Sequence, residues 1–492
     1  MTIQSNLGFT ARSFFLRLAT ALAIVFFFAM LARAGGPKYV AGSSYFNSPA
    51  MGHSITWSLG LVNYYTDQGD LSPILPNSAA NAFVAGAFAQ WTSVSTAALT
   101  ATNAGQLAED VNGSNIAVDS NGTVTTPADI TSSATQTPVG IVYDYDGSVT
   151  DALLGAGAGD ASQCFWNAVY GGVDNFGAAA NSLHALVVIN GQCALQASQL
   201  TDLEYRLVRV LGNVLGLGWS QMNLNVITGN PAPTPDDFAG FPVMHSIDSF
   251  SCVPITVCYA NPYQLASDDR AALSRLYPAS PSAATARIHG SVYFVDHLGS
   301  TAQPMQGVNV FARWIDPSTN QPSHKYGASS VSGFPFTGNA GNPITGWNDP
   351  LGNPYTEFGS SDQTLEGFFD LGGLPIPNGA NTAQYQLAVE ALDPMWSAGV
   401  CPLRLVPGCT FGNVPTHRGY RERRRRLRAG HPHVRQRPVR SSVGCDGDLE
   451  CSSAGSISGR LGRLIERVRR CWLFLDHSPG EPHLVGSRHR AG

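Results

Sequence analysis

The chain is poor in charge: Asp, Glu, Lys and Arg make up only 13% of its 492 residues. It has no C-x-x-C pair, which leaves a zinc knuckle and a thioredoxin-like redox motif unsupported. No G-x-S-x-G occurs as a strand–turn–helix element and no glycine-rich phosphate loop is present, so neither a serine-hydrolase elbow nor a nucleotide-binding loop is indicated. No internal repeat stands out, which sets solenoids and propellers aside. After residue 34 no segment reaches 18 apolar residues, so no membrane-spanning helix is predicted beyond the N-terminus.

What is present is apolar and rich in turns. A hydrophobic content of 43% excludes a wholly disordered chain, and 52 Gly with 31 Pro favour turns and β-structure over long helical bundles. The length suggests two or three domains. The net charge of −5 hides a split. From Asn413 to the end, 17 Arg and no Lys stand against 7 acids, a net +10, whereas the preceding 412 residues hold 12 basic and 27 acidic groups, a net −15.

The first 34 residues contain no acid. Arg12 and Arg17 precede an apolar run from Leu18 to Leu31, and Ala32-Arg33-Ala34 offers small residues where a signal peptidase reads them. This pattern predicts a secretory signal peptide over 1–34, and hence a protein that is secreted, periplasmic or on the outer cell surface. From Gly35 to Gly412 the body carries 9 basic and 27 acidic groups, a net −18. Such acidity argues against nucleic acid as a partner and is compatible with calcium or a basic surface. Six cysteines precede the tail: Cys164, Cys193, Cys252, Cys258, Cys401 and Cys409. In an exported chain an even number suggests disulfides, and proximity suggests 164–193, 252–258 and 401–409 among the alternatives.

Periodicity divides the body in two. Ile55 to Leu61 (ITWSLGL) is a short β-type run. Asn81 to Val94 has Phe83, Ala87, Trp91 and Val94 at helical spacing, a predicted buried stripe. His184 to Asn190 (HALVVIN) is a β-branched strand ended by Gly191. Leu200 to Leu217 is a second helix, with Thr201-Asp202-Leu203-Glu204 as a capping box and Gly216 and Gly218 as stops. Asp268 to Tyr277 is a third, with acids in its first turn. A Pro/Ser/Ala linker over 278–285 precedes IHGSVYF, GVNVFARW, GFFDLGGLP and YQLAVEAL, short strand-like runs that predict a small β-sandwich.

Arg209 to Ser220 reads RVLGNVLGLGWS and resembles the zinc-binding helix and turn of matrixin-type metzincins, H-E-x-x-H-x-x-G-x-x-H. In that pattern two histidines share a helical face, the glycine turns the chain, a third histidine completes the metal ligands and the glutamate polarises zinc-bound water. Gly216 and the apolar frame Leu211, Val214, Leu215 and Leu217 match; Arg209, Val210, Asn213 and Trp219 stand at the chemical positions. AFAQWTSVS around Trp91 resembles that family's first helix, FPVMHS resembles its Met-turn with Met244 as the methionine, and Asp268-Asp269 through Leu276-Tyr277 resembles its closing helix. The layout beginning GGPKYVAGSSYF also resembles a family of exported acidobacterial proteins. Gly290-Ser-Val, Gly307-Val-Asn-Val, Gly367-Phe-Phe-Asp-Leu, Leu374-Pro and Tyr385-Gln-Leu resemble carboxypeptidase-regulatory-like sandwiches, which the resemblance implies are non-catalytic.

The expected fold is therefore α+β: a metzincin-like domain over 35–279, a β-sandwich over 286–410, and an Arg-rich, disordered tail over 411–492. A matrixin-like protein with these substitutions has lost its zinc ligands and base, so zinc is not expected. Arg209 should be hydrogen-bonded to an acid or to carbonyls, and His245 is the one imidazole near the old site, with a polar turn role as the simpler reading. A calcium site is a candidate at DYDGSVTD, where Asp144, Asp146, Ser148 and Asp151 offer hard oxygens. Three functions follow as expectations: a non-catalytic pseudopeptidase binding a protein or glycan at the cell surface; a secreted zinc metalloendopeptidase with unconventional ligands; and a carbohydrate-binding surface protein using Trp314, Trp347 and Trp396. The tail has two readings: a basic segment for phosphate-rich surfaces, or the out-of-frame product of a GC-rich gene, which would make Cys445, Cys451 and Cys471 incidental.

Overall fold

The computed structural model describes residues 36–42, 45–119, 124–223, 225–228, 232–245, 263–280, 285–295, 301–336, 358–377, 382–390 and 442–445. The predicted signal peptide, Cys252, Cys258, Cys401, Cys409, Trp347, Trp396 and all of the tail but four residues lie outside them.

The chain is mixed α and β. Its first half is built on a sheet of order β2–β1–β5–β7–β6, comprising β1 (Leu61–Thr66), β2 (Thr100–Gln106), β5 (Val139–Asp144), β6 (Val169–Gly177) and β7 (Asn181–Asn190). β1, β2, β5 and β7 are parallel, and β6 is antiparallel at the edge. β3 (Ala117–Val118) and β4 (Val124–Thr125) form a separate pair. Central β5 is buried throughout, which is why VGIVYD reads as a continuous apolar run, whereas edge strand TATNAGQ is polar and largely exposed. One face of the sheet packs Ile141, Val187 and Ile189 with Trp91, Leu207 and Leu211; the other packs Val142 and Val188 with Val111, Ile130 and Val149.

The helices are α1 (Asn77–Thr92), α2 (Ser148–Leu154), α3 (Cys164–Asn167), α4 (Leu200–Val214), α5 (Asn225–Thr228), α6 (Pro235–Gly240) and α7 (Ser267–Leu276). Three sequence expectations shift. ITWSLGL is a 3₁₀ turn at Ser58–Gly60, with Leu59 left-handed at φ 56°, and the strand starts only at Leu61. α1 begins at Asn77 because Asp70 Oδ1 accepts the Asn77 N–H at 2.7 Å, and its buried side chains are Ala80, Val84, Ala87, Phe88 and Trp91, with Phe83 at the margin. Thr201 does not start α4: Gln196 and Gln199 bracket the preceding 3₁₀ turn, which runs straight into Leu200 and leaves Thr201 exposed inside the helix.

The second half has two antiparallel sheets. One has the order β11–β10–β13, from β10 (Asn309–Asp316), β11 (Gln321–Val331) and β13 (Tyr385–Glu390). The other has the order β12–β8–β14, from β8 (Thr285–Val295), β12 (Phe368–Pro375) and β14 (Ser442–Cys445), with β9 (Thr301–Pro304) also on β8. Val292, Phe369, Leu371 and Leu374 of one sheet meet Val310, Ala312 and Ala328 of the other in a core that Ala271 of α7 also enters. β14 corrects the expectation of a structureless tail for four residues: an exposed edge of β8 is a template for any extended segment that reaches it. Trp314 is buried against Tyr326, so this indole packs in the fold and is not a sugar-stacking surface.

Candidate functional site

α4 is amphipathic, and its apolar side joins the core through Leu203, Leu207, Val208 and Leu211. Its end is a Schellman motif: Gly216 is left-handed at φ 89°, the Leu217 N–H reaches the Gly212 carbonyl at 2.9 Å and the Gly216 N–H reaches the Asn213 carbonyl at 3.1 Å. A side chain at Gly216 would also press on the Ile55 carbonyl, at 2.9 Å. Two carbonyls left over at this end are met by tertiary donors: the Trp57 indole reaches Val214 at 2.8 Å and the Tyr277 hydroxyl reaches Leu215 at 2.8 Å.

The Met-turn candidate lies directly against this helix. A Cβ on Gly212 would fall 2.4 Å from Met244 Sδ and 2.7 Å from Trp91 Cζ2, so glycine is what lets α1, α4 and the Met244 turn converge. Trp91 donates its indole N–H to the Val208 carbonyl at 2.9 Å. Asp269 of α7 accepts from Val243 N (2.8 Å), Met244 N (2.9 Å) and Ala266 N (2.8 Å), locking the turn to the closing helix. Burial pushes the Asp269 carboxyl up to about 7 despite these donors. Its neighbour Asp268, also raised by burial, accepts from Ser220 after the α4 turn and from Ser329 of β11, bridging the two halves of the chain. In the sequence the acid pair is legible as a favourable first turn and as the start of a helix resembling the family's closing one. Its clamping role depends on long-range partners that no local pattern shows.

Arg209, at the first histidine position, stacks its guanidinium on the Trp219 ring at 4.8 Å and on the Tyr205 ring at 5.1 Å, and donates to the His245 carbonyl at 2.5 Å. A carbonyl is one of the two partner types expected for it. Asn213, one turn on, is buried, and Val210 and Trp219 are partly buried against the core. His245 is buried, with its ring on Phe241 at 4.6 Å and its Nε2 paired with the Met222 carbonyl at 2.8 Å. A zinc ion does not fit this set. A permanently cationic guanidinium, an amide and an indole stand where the resemblance would put imidazoles, and the His245 ring is paired with a backbone carbonyl.

The calcium candidates are not drawn into one cage. Asp144 is buried and caps α2, accepting from Val149 N, Thr150 N and Thr150 Oγ1. Asp146 accepts from Ser148 N, Asp151 from Gly159 N, and Ser148 Oγ from Gly113 N. The sequence DYDGSVTD is accounted for as a turn and helix start. Among the described residues no three His, Cys, Asp or Glu side chains are grouped to hold a metal ion, and no helix is long and apolar enough to cross a membrane. Cys164 and Cys193 form the disulfide suggested by proximity, with Cα atoms 5.5 Å apart. No family model and no curated protein matches the chain.

Proposed function

We propose that this chain is an exported pseudopeptidase: a matrixin-like scaffold without zinc chemistry, joined to a β-sandwich and acting by binding. The observation that carries the reading is Arg209. Its guanidinium, in contact with the Tyr205 and Trp219 rings and tied to the His245 carbonyl, takes up the helical position where the first metal-binding histidine would stand. Supporting it, the four segments that resemble the family touch in series: Trp91 of α1 and Met244 in its turn both meet Gly212 of α4, and Met244 bonds Asp269 of α7. The resemblance supplies the name of the scaffold, and the residues supply the argument against its chemistry. A metallopeptidase using other ligands would need His245 or nearby acids, and these are committed to Met222 and to the backbone of the Met244 turn.

The test is metal content and proteolysis of the purified chain. The expected result is no stoichiometric zinc and no cleavage of an unfolded protein substrate. Zinc at one per chain together with chelator-sensitive cleavage would overturn the proposal. Export is tested separately, by the N-terminus of the protein recovered from cell fractions: Gly35 is expected, and Met1 would contradict it.

A further inference from the structure

Exposed apolar side chains gather at one end of the five-stranded sheet. Trp166 is 73% exposed, Tyr145 47%, Phe165 41% and Leu195 39%. The topology explains their meeting. β5 and β7 are parallel and β6 is antiparallel to β7, so the loop after β5 (Tyr145), the turn before β6 (Phe165, Trp166) and the loop after β7 (Leu195) leave the same sheet edge.

The cluster is braced. The Cys164–Cys193 disulfide ties the turn to the loop after β7. The Gln192 side-chain amide donates to the Tyr145 carbonyl at 3.1 Å. Arg206 of α4 stacks on Phe165 at 5.2 Å, donates to the Phe165 carbonyl at 2.6 Å and is itself held by Asp202 at 2.9 Å. Phe165 and Trp166 meet edge to face, 4.5 Å between centroids. A covalent link and a buttressed ring hold apolar surface in water, the signature of a binding patch.

Size and charge select the occupant. The four side chains expose roughly 400 Å² given typical side-chain areas, well short of the about 800 Å² per partner of a stable protein–protein interface. The cation at the patch, Arg206, is already paired, and the same loops carry the uncharged amides of Gln163 and Gln192, whose nitrogens donate to Ser162 and to the Tyr145 carbonyl. A body of net charge −18 disfavours anionic partners. Aromatic faces beside uncharged amides suit pyranose rings, whose C–H faces stack and whose hydroxyls exchange hydrogen bonds.

We propose that Tyr145, Phe165, Trp166 and Leu195 form a docking platform for a neutral polysaccharide. It does not involve Arg209 and does not depend on the pseudopeptidase reading. The experiment is retention of the full chain on insoluble cellulose, chitin and xylan, with its association state followed by sedimentation. Retention on at least one is expected, with Trp166→Ala weakening it about tenfold, the size of one aromatic contact, and Trp166→Phe keeping most of it. An unchanged melting temperature shows that each variant is folded. No retention on any of the three, or equal retention by Trp166→Ala, overturns the proposal. So does a dimer that Trp166→Ala dissolves, which would make a second copy the occupant.

Discussion

Arg209, Asn213 and Trp219, on α4 and in the turn after it, make up a rim of one cation, one buried amide and one indole. Next to them Gly212, Gly216, Met244, Trp91 and Asp269 interlock with almost no spare room. The rim groups are held by one hydrogen bond and two ring contacts, whereas the frame is held by close packing and buried hydrogen bonds. The difference follows from what each group does for folding. Gly212 and Gly216 sit where any side chain strikes Met244, Trp91 or a carbonyl, so their replacement is penalised whether or not a metal binds. At the rim Arg209 is only partly buried, and two rings and a carbonyl hold it. Rim and frame are thus separable: the proposed reading requires that the first can change without the second.

Substitutions that separate frame from rim should fall in a clear order. Trp91→Ala, which removes a buried indole and its bond to Val208, should cost about 4 kcal/mol in denaturant unfolding. Asp269→Ala strands three buried N–H groups and should cost about 3 kcal/mol. The same residue sets a pH dependence. Burial raises the folded carboxyls of Asp269 to about 7 and of Asp67 to about 6, against an unfolded value near 4. The folded state therefore holds these protons more tightly. That stability is complete below about pH 4 and is lost as pH rises through 6 and 7. The melting temperature should fall between about pH 5 and pH 8, and less steeply in Asp269→Ala; equal slopes would show that Asp269 is ionised throughout. Gly216→Ala, forcing a Cβ into a left-handed turn, should cost about 1 to 2 kcal/mol. Arg209→Gln should cost less than about 1 kcal/mol, since it loses only a partly exposed stacking contact and one hydrogen bond. If Arg209→Gln costs as much as Trp91→Ala, rim and frame are one unit and the comparison fails.

The sequence made part of this legible. The 3.6-residue period and the glycine stop marked α4, β-branched runs marked β7 and β10, and one cysteine pair was read from proximity. What escaped had non-local causes. Edge strand β2, TATNAGQ, carries no apolar signal because little of it is buried. α1 starts early because Asp70, seven residues upstream, caps it. DYDGSVTD looked like an ion loop because the oxygens that cap a helix are the same atoms that would hold calcium. Asp268 serves two distant serines, Ser220 and Ser329, and only the fold brings them to it.

The most direct test of the separation between scaffold and chemistry is to place three histidines at the rim and leave the frame unchanged. Zinc binding should be titrated calorimetrically for the unaltered chain and for the triple variant Arg209→His, Asn213→His, Trp219→His, with melting temperatures recorded beside it. The frame as described predicts no specific site in the unaltered chain and one zinc per chain in the variant, with tetrahedral nitrogen coordination by X-ray absorption. A folded variant that takes no zinc would contradict it, as would an unaltered chain that binds one zinc as tightly as the variant does.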